Sequence, residues 1–237
     1  MVYCELGTTP LINVIKHRMI NYWSRLVHNN GNRLNYILYN LLFRKYLQER
    51  TEVRWLSFIR SILNDCGLSY VWNDHSVTGF NEKWLNLTVK QTLSDQHLQN
   101  IISDIDSSSK ASCYKIFKDN IEFEEYLDIL CEKDRYTLCK FRTTNHRLII
   151  ETGRWHKIER SDRVCNLCNQ GLVGDEFHYL LECSSLYSER KDLLGNEFCI
   201  FPTIYKFKKL LSTKDINLLK KLCQFIRIIF TKASYIP

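Results

Sequence analysis

A chain of 237 residues that is 45% apolar and 25% charged can bury a core as one large or two small domains, which excludes general disorder. Three prolines, eight glycines and the lack of alternating β-branched runs between turn signals exclude an all-β design and predict a mainly α fold. No run approaches the roughly twenty continuous apolar residues of a membrane span, and Lys16 and Arg18 have no apolar leader before them, so the expectation is a soluble intracellular protein of nucleus or cytoplasm, with no membrane partner.

In chain order, Leu11, Ile12, Ile15, Met19, Tyr22, Trp23 and Leu26 recur at helical spacing before Asn30-Gly31-Asn32 breaks the chain. A second helix is expected over Leu34, Ile37, Leu38, Leu41 and Leu42. A third runs through Trp55, Leu56, Ile59, Ile62, Leu63 and Cys66, with Gly67 as its C-terminal cap. The helical signal weakens over residues 73–83 and returns from Trp84 to Ile105, where Asp106-Ser107-Ser108-Ser109 makes the clearest linker. The expected division is a helical connector over residues 1–106 and a second region, 110–237, comprising a small zinc-knuckle domain with flanking helices. Within the latter, helices are expected at Ile121–Leu130, at Lys133–Thr143, after Ser185, and from about Ser212 to the end. The last of these aligns Leu219, Leu222, Cys223, Ile226, Ile229 and Phe230 opposite Lys220, Lys221, Gln224 and Arg227, a stripe that reads as core.

The net charge of +7 is unevenly spread. Residues 61–139 hold seven basic side chains against thirteen acids, whereas Lys140 to Arg163 holds seven against three and residues 205–232 eight against one. Basic runs of this kind are usually solvated helix faces, but they also neutralise phosphates and release counterions. Between the two basic runs lies Cys165-x2-Cys168-x9-His178-x4-Cys183, four soft or borderline ligands within nineteen residues. Two thiolates two residues apart grip one ion from a tight turn, and a His and a Cys further on close a tetrahedron, so the spacing predicts a zinc site. Gly171 and Gly174 lie in the intervening loop, where positive φ is expected to be needed. The step from His178 to Cys183 would rotate the second ligand about 140° away in a regular helix, so the segment is expected to loosen there, with Ser184 and Ser185 capping a fresh helix.

Competing readings of these residues are a redox dithiol, a disulfide framework and an ordinary core histidine at position 178. No strand–helix unit surrounds the paired thiols, and no leader points to an oxidising compartment. The seven cysteines outside the motif read as small buried hydrophobes. The basic run beside the motif makes Lys140, Arg142, His146, Arg147, Arg154, Lys157, Arg160 and Arg163 the candidate surface for RNA or DNA. Trp155 reads first as packing against the knuckle and second as a base-stacking platform.

The run TLCKFRTTNHRLIIETGRWHKIERSDRVCNLCNQGLVGDEFHYLLEC, residues 137–183, resembles the C-terminal zinc-binding region of non-LTR retrotransposon reverse transcriptases of the invertebrate jockey-like type. The opening EL-G-x-x-PL and the terminal KLCQFIRII look similar to the same polyprotein, so the resemblance extends over nearly the whole chain. It implies the tail of such a polyprotein, downstream of the polymerase palm, helping to hold template RNA or target DNA, with the polymerase portion as a further partner. The chain departs from a complete enzyme of that kind. It has no adjacent Asp-Asp pair to hold two metal ions at a primer end, and the residues after Cys183 lack a nuclease-like carboxylate cluster. His146 and His156 have no Ser or Cys nucleophile in a Gly-flanked turn nearby, and no Gly-rich phosphate loop exists. Two functions follow as expectations: a non-catalytic, zinc-dependent nucleic-acid-binding tail, or a zinc-stapled helical module that binds protein.

Overall fold

A computed structural model describes residues 1–28, 33–48, 52–74, 79–118 and 120–233. The mainly α expectation holds: among the described residues there is no strand, and two isolated β-bridges join Leu6 to Phe123 and Val164 to Val173. The chain forms two compact units, residues 9–101 and residues 1–8 together with 102–237. A short helix, α1 (Val2–Leu6), opens the chain and belongs to the later unit.

Residues 9–101 contain α2 (Leu11–His28), α3 (Leu34–Gln48), α4 (Arg54–Asp65), α5 (Ser69–Asp74) and most of α6 (Glu82–Ser107). The expected break at Asn30-Gly31-Asn32 lies outside the described residues. Gly67 ends α4 with a φ of 71°, as its place after the apolar run requires. The core is aromatic at its centre. Trp23 is fully buried, stacks on Phe80 with ring centroids 5.4 Å apart and on Trp72 at 6.0 Å, and donates its indole N–H to Tyr39 at 3.1 Å. Ile20, Leu56, Ile59, Ile62, Leu63, Leu85 and Val89 fill the space around it. Each such side chain contributes roughly 1.5–3 kcal/mol by leaving water.

The later unit continues with α7 (Tyr114–Phe117), α8 (Tyr126–Ile129), α9 (Glu132–Arg142), α10 (Ile149–Trp155), α11 (Tyr187–Leu194), α12 (Ile204–Leu211) and α13 (Ile216–Ala233). Two expectations are corrected here. The helix expected over Ile121–Leu130 is confined to α8, because Phe123 bridges Leu6 and the Glu124 amide donates to the Glu5 carbonyl at 3.0 Å, which holds residues 121–125 out of helix. The unexpected α12 is started by Thr203, whose hydroxyl accepts from the Lys206 amide at 3.3 Å, and it buries Phe207, Leu210 and Leu211. α13 packs against α9 and α11 and buries Leu219, Leu222, Cys223, Ile226 and Ile229 together with Phe225. No thiol is paired with another in a disulfide. Of the seven cysteines outside the motif, Cys4, Cys66, Cys113 and Cys223 are buried, Cys139 and Cys199 are partly so, and Cys131 is exposed.

The first residues are held to this unit by one buried charge pair. Glu5 accepts from Arg142 Nε at 3.0 Å and Nη2 at 3.1 Å, from Tyr126 at 2.6 Å and from Tyr114 at 2.8 Å. Arg142 also reaches Glu124 at 3.0 Å and the Leu211 carbonyl, and its guanidinium lies over the rings of Phe117 and Tyr126. Gly7 sits at a φ of 58°, and a Cβ there would meet the Phe123 amide nitrogen at 2.3 Å, so glycine lets the two backbones touch. Burial alone would raise the Glu5 carboxyl, but the charge and hydrogen bonds of Arg142, then the hydroxyls of Tyr126 and Tyr114, outweigh it and hold the group below its usual range. The folded chain therefore keeps Glu5 ionised to lower pH than the unfolded chain does. This stabilisation is complete above the ordinary carboxyl pKa of about 4.3 and is lost as pH falls through the lowered folded value. Glu5→Gln is expected to cost about 3 kcal/mol at neutral pH, because it leaves a buried guanidinium short of its main counter-charge. Urea unfolding over a pH series should show this gap closing in acid; a gap absent at neutral pH contradicts the role given to the pair.

Candidate metal centre and adjoining basic surface

The four motif residues converge. One ligand atom each from Cys165, Cys168, His178 and Cys183 lies within 4.8 Å of every other, and all four residues are buried. Metal–sulfur bonds of about 2.3 Å in a tetrahedron place sulfurs roughly 3.8 Å apart, and the Cys165 and Cys183 sulfurs are 3.8 Å apart. Cys168 Sγ is 3.3 Å from His178 Nε2, close to the roughly 3.6 Å edge between a thiolate and an imidazole on one ion. The donor set and its spacing therefore fit a metal ion.

Local structure explains how a nineteen-residue segment closes on itself. Cys165 N donates to Leu172 O and Gly174 N to Arg163 O, both at 2.8 Å, making a small turn that carries both early cysteines. Within it, the Leu167 amide points at Cys165 Sγ at 3.4 Å, a donor that favours thiolate. Gly171 has the positive φ expected, 68°. Gly174 does not; it is required for space, since a Cβ would meet Ile149 Cγ2 at 2.5 Å and the Tyr179 hydroxyl at 2.8 Å.

The segment does not simply loosen before Cys183. Residues His178–Glu182 form a π turn, in which Cys183 N donates to His178 O at 2.8 Å. Closing the turn five residues back, rather than four, places Cys183 over His178 on the same face. Asp175 starts this turn by accepting from the His178 amide at 3.0 Å. Arg190, fully buried, finishes it by donating to Leu180 O at 2.8 Å and Cys183 O at 2.9 Å. Those carbonyls would otherwise be orphaned at the end of the turn. Arg190 escaped the reading of the sequence because it lies in a charged stretch, ERKD, with nothing local to mark it as buried. After Cys183 the chain makes a single 3-10 turn, Ser184–Leu186, before α11; Ser185 donates to Leu167 O at 2.8 Å and caps nothing.

His178 turns Nε2 to the cluster and Nδ1 to Glu182, whose carboxylate lies at 3.3 Å. A carboxylate behind a ligating imidazole fixes its tautomer and raises its basicity. Electrostatics in the cluster favour thiolate at Cys165 and the neutral thiol at Cys183. The hydrogen bond from Cys183, against the effect of burial and aided by His178, lowers Cys165 far below the thiol range, and the same contact pushes Cys183 up.

The eight residues expected to face nucleic acid divide sharply. Arg142 is buried on Glu5 and is no surface group. His146 is buried too: its Nδ1 accepts from the Leu148 amide at 3.4 Å and its Nε2 donates to Glu176 at 2.9 Å. Both belong to the fold, because a buried charge or polar ring needs its partner more than solvent does. Arg163 spends its donors on Ile158 O and Ile150 O. Arg154 pairs with Glu151 at 2.7 Å and Arg160 with Asp175 at 3.0 Å. Arg147 and Lys157 are exposed and make no ion pair among the described residues, and Lys140 is half-buried over the Tyr136 ring. Trp155, which read first as a packing residue, is mostly in solvent.

Glu182→Ala is expected to weaken metal binding about 10- to 100-fold, and Glu182→Gln less, since the amide oxygen still accepts from Nδ1. Competition with a chromophoric chelator measures it, and wild-type affinity for the Ala variant would remove Glu182 from the site. No protein-family model, curated protein or solved structure matches the chain.

Proposed function

We propose that the chain is a non-catalytic, zinc-dependent nucleic-acid-binding tail of the kind found at the C-terminus of non-LTR retrotransposon reverse transcriptases. The observation that carries this reading is the closed cluster of three thiols and an imidazole in the segment that resembles that family. Three sulfurs and one ring nitrogen, all buried, are the donors of a structural zinc site with no open position for a reacting water. Zinc there supplies folding energy, and its binding displaces protons from the thiols. Exposed Arg147 and Lys157 and half-buried Lys140 lie in the stretch leading to the cluster and suit phosphate contacts. A template RNA or a target DNA is the proposed ligand.

A second reading is favoured by α3. Leu34, Ile37, Leu38, Leu41 and Leu42 form a continuous exposed stripe at helical spacing, more apolar surface on one helix than scattered surface residues explain. In that reading residues 9–101 dock protein partners, the polymerase portion of a parent polyprotein among them, and the metal staples the other unit.

The purified chain is expected to hold one zinc ion, and a Cys168→Ser, His178→Ala double variant to hold none. It should bind RNA or DNA with an affinity that falls steeply with salt. Replacing Lys140, Arg147 and Lys157 with Glu should flatten the log–log salt slope by nearly one unit per lost contact without changing zinc content. Elemental analysis and fluorescence anisotropy over a salt range decide the matter. Equal zinc in both proteins sinks the metal assignment; no nucleic-acid binding near physiological salt transfers the function to the protein-binding reading.

A further inference from the structure

Beside α9 and α10 the surface holds a cleft of about 390 Å³, within the size range of small-ligand sites. Two large aromatic side chains line it and remain in water: Tyr136 on α9 is 61% exposed, and Trp155 at the end of α10 is 55% exposed. A single exposed aromatic needs no explanation, but two lining one cleft beside cations make a patch. Lys140, one turn after Tyr136, holds Nζ 4.3 Å from that ring's centroid, which fixes a flexible ammonium at the cleft. Arg147 adds a second cation and Asn145 an exposed amide, and among the described residues no carboxylate lines the space. Its less exposed side is made by Phe230 and by His146, which hydrogen-bonds to Glu176 and the Leu148 amide.

We propose that this cleft seats an unpaired base of a single-stranded nucleic acid, stacked on Trp155 with Tyr136 beside it, while Lys140 and Arg147 hold the flanking phosphates. The proposal rests on the nucleic-acid reading above and adds to it the strandedness of the ligand and the residues that sense it. A base offers its flat face only when it is out of a duplex, and every base has such a face, so this site takes single strands with little regard to sequence. An acidic peptide would satisfy the two cations, but its carboxylates would meet the negative faces of the rings.

The test uses the full zinc-loaded chain and labelled uridine and thymidine homopolymers, with a mixed-sequence duplex beside them, over a range of salt. Trp155→Ala is expected to weaken binding to the single strands roughly tenfold with the salt slope unchanged, to leave duplex binding as it was, and to keep zinc content and thermal stability, since the ring is mostly in solvent. Trp155→Phe should retain most of the affinity because it retains a stacking face. Lys140→Gln with Arg147→Gln should flatten the single-strand slope by about 0.7 units per lost contact. If the wild type binds nucleic acid and Trp155→Ala binds single strands equally well, or loses duplex and single strand alike, the cleft proposal falls while the nucleic-acid reading stands. If the wild type binds none of these ligands, both fall; retained binding of an acidic peptide by that protein would assign the cleft to the competing ligand.

Discussion

The cluster of three thiols and an imidazole depends on a single departure from regular helix. His178 and Cys183 are five residues apart, and only a turn closed from Cys183 N to His178 O brings both to one side. A π turn is a poor helix taken alone, so its ends need support. Asp175 takes the first amide, Arg190 takes the carbonyls that follow, and Glu182 uses the turn itself to stand behind His178. Gly174 has no room for a side chain because Tyr179, on the same turn, presses against it and donates its hydroxyl to Asn166 at 2.7 Å beside the early cysteines. The two halves of the site are thus fixed to each other by protein contacts.

Most of the positive charge between residues 140 and 163 is taken up by partners within the chain. Arg142 closes on Glu5, Arg154 on Glu151 and Arg160 on Asp175, while Arg163 turns to two carbonyls and the buried His146 ring to Glu176. The Arg142–Glu5 pair is buried, and removing one of its partners costs far more than an exposed pair contributes. With the His146–Glu176 hydrogen bond it ties the start of the chain, α9 and the turn that carries the cluster into one unit. A count of basic residues from 140 to 163 therefore overstates the surface charge, and what remains for a phosphate backbone is concentrated at Lys140, Arg147 and Lys157.

The cluster of Cys165, Cys168, His178 and Cys183 was legible in the sequence because soft side chains at short spacing have few other uses, and α2, α3, α4, α6 and α13 were legible from their apolar periodicity. Local signals failed where distant partners decide. Nothing near Glu5 announces Arg142, and nothing near Ile121 announces the bridge that holds it extended. Arg190 and Arg142 look like their solvated neighbours until the carbonyls and carboxylates that bury them are in place. Trp155 misled for the opposite reason: large aromatic rings usually pack, and this one is left in water beside cations. Eight-residue α12 was too short for its period to stand out, although Thr203 and the apolar pair Leu210 and Leu211 mark its two ends.

The central claim is that three thiolates and one imidazole hold a zinc ion in this fold. X-ray absorption at the zinc edge of the purified protein tests it most directly, because the scattering shell reports ligand type and number together. The expected result is three sulfurs at about 2.3 Å and one nitrogen at about 2.0–2.1 Å, with the imidazole contribution lost in His178→Ala. A shell of oxygens, or of two sulfurs with lighter atoms unchanged by Cys183→Ser, would contradict the π-turn geometry as the means by which the site is closed.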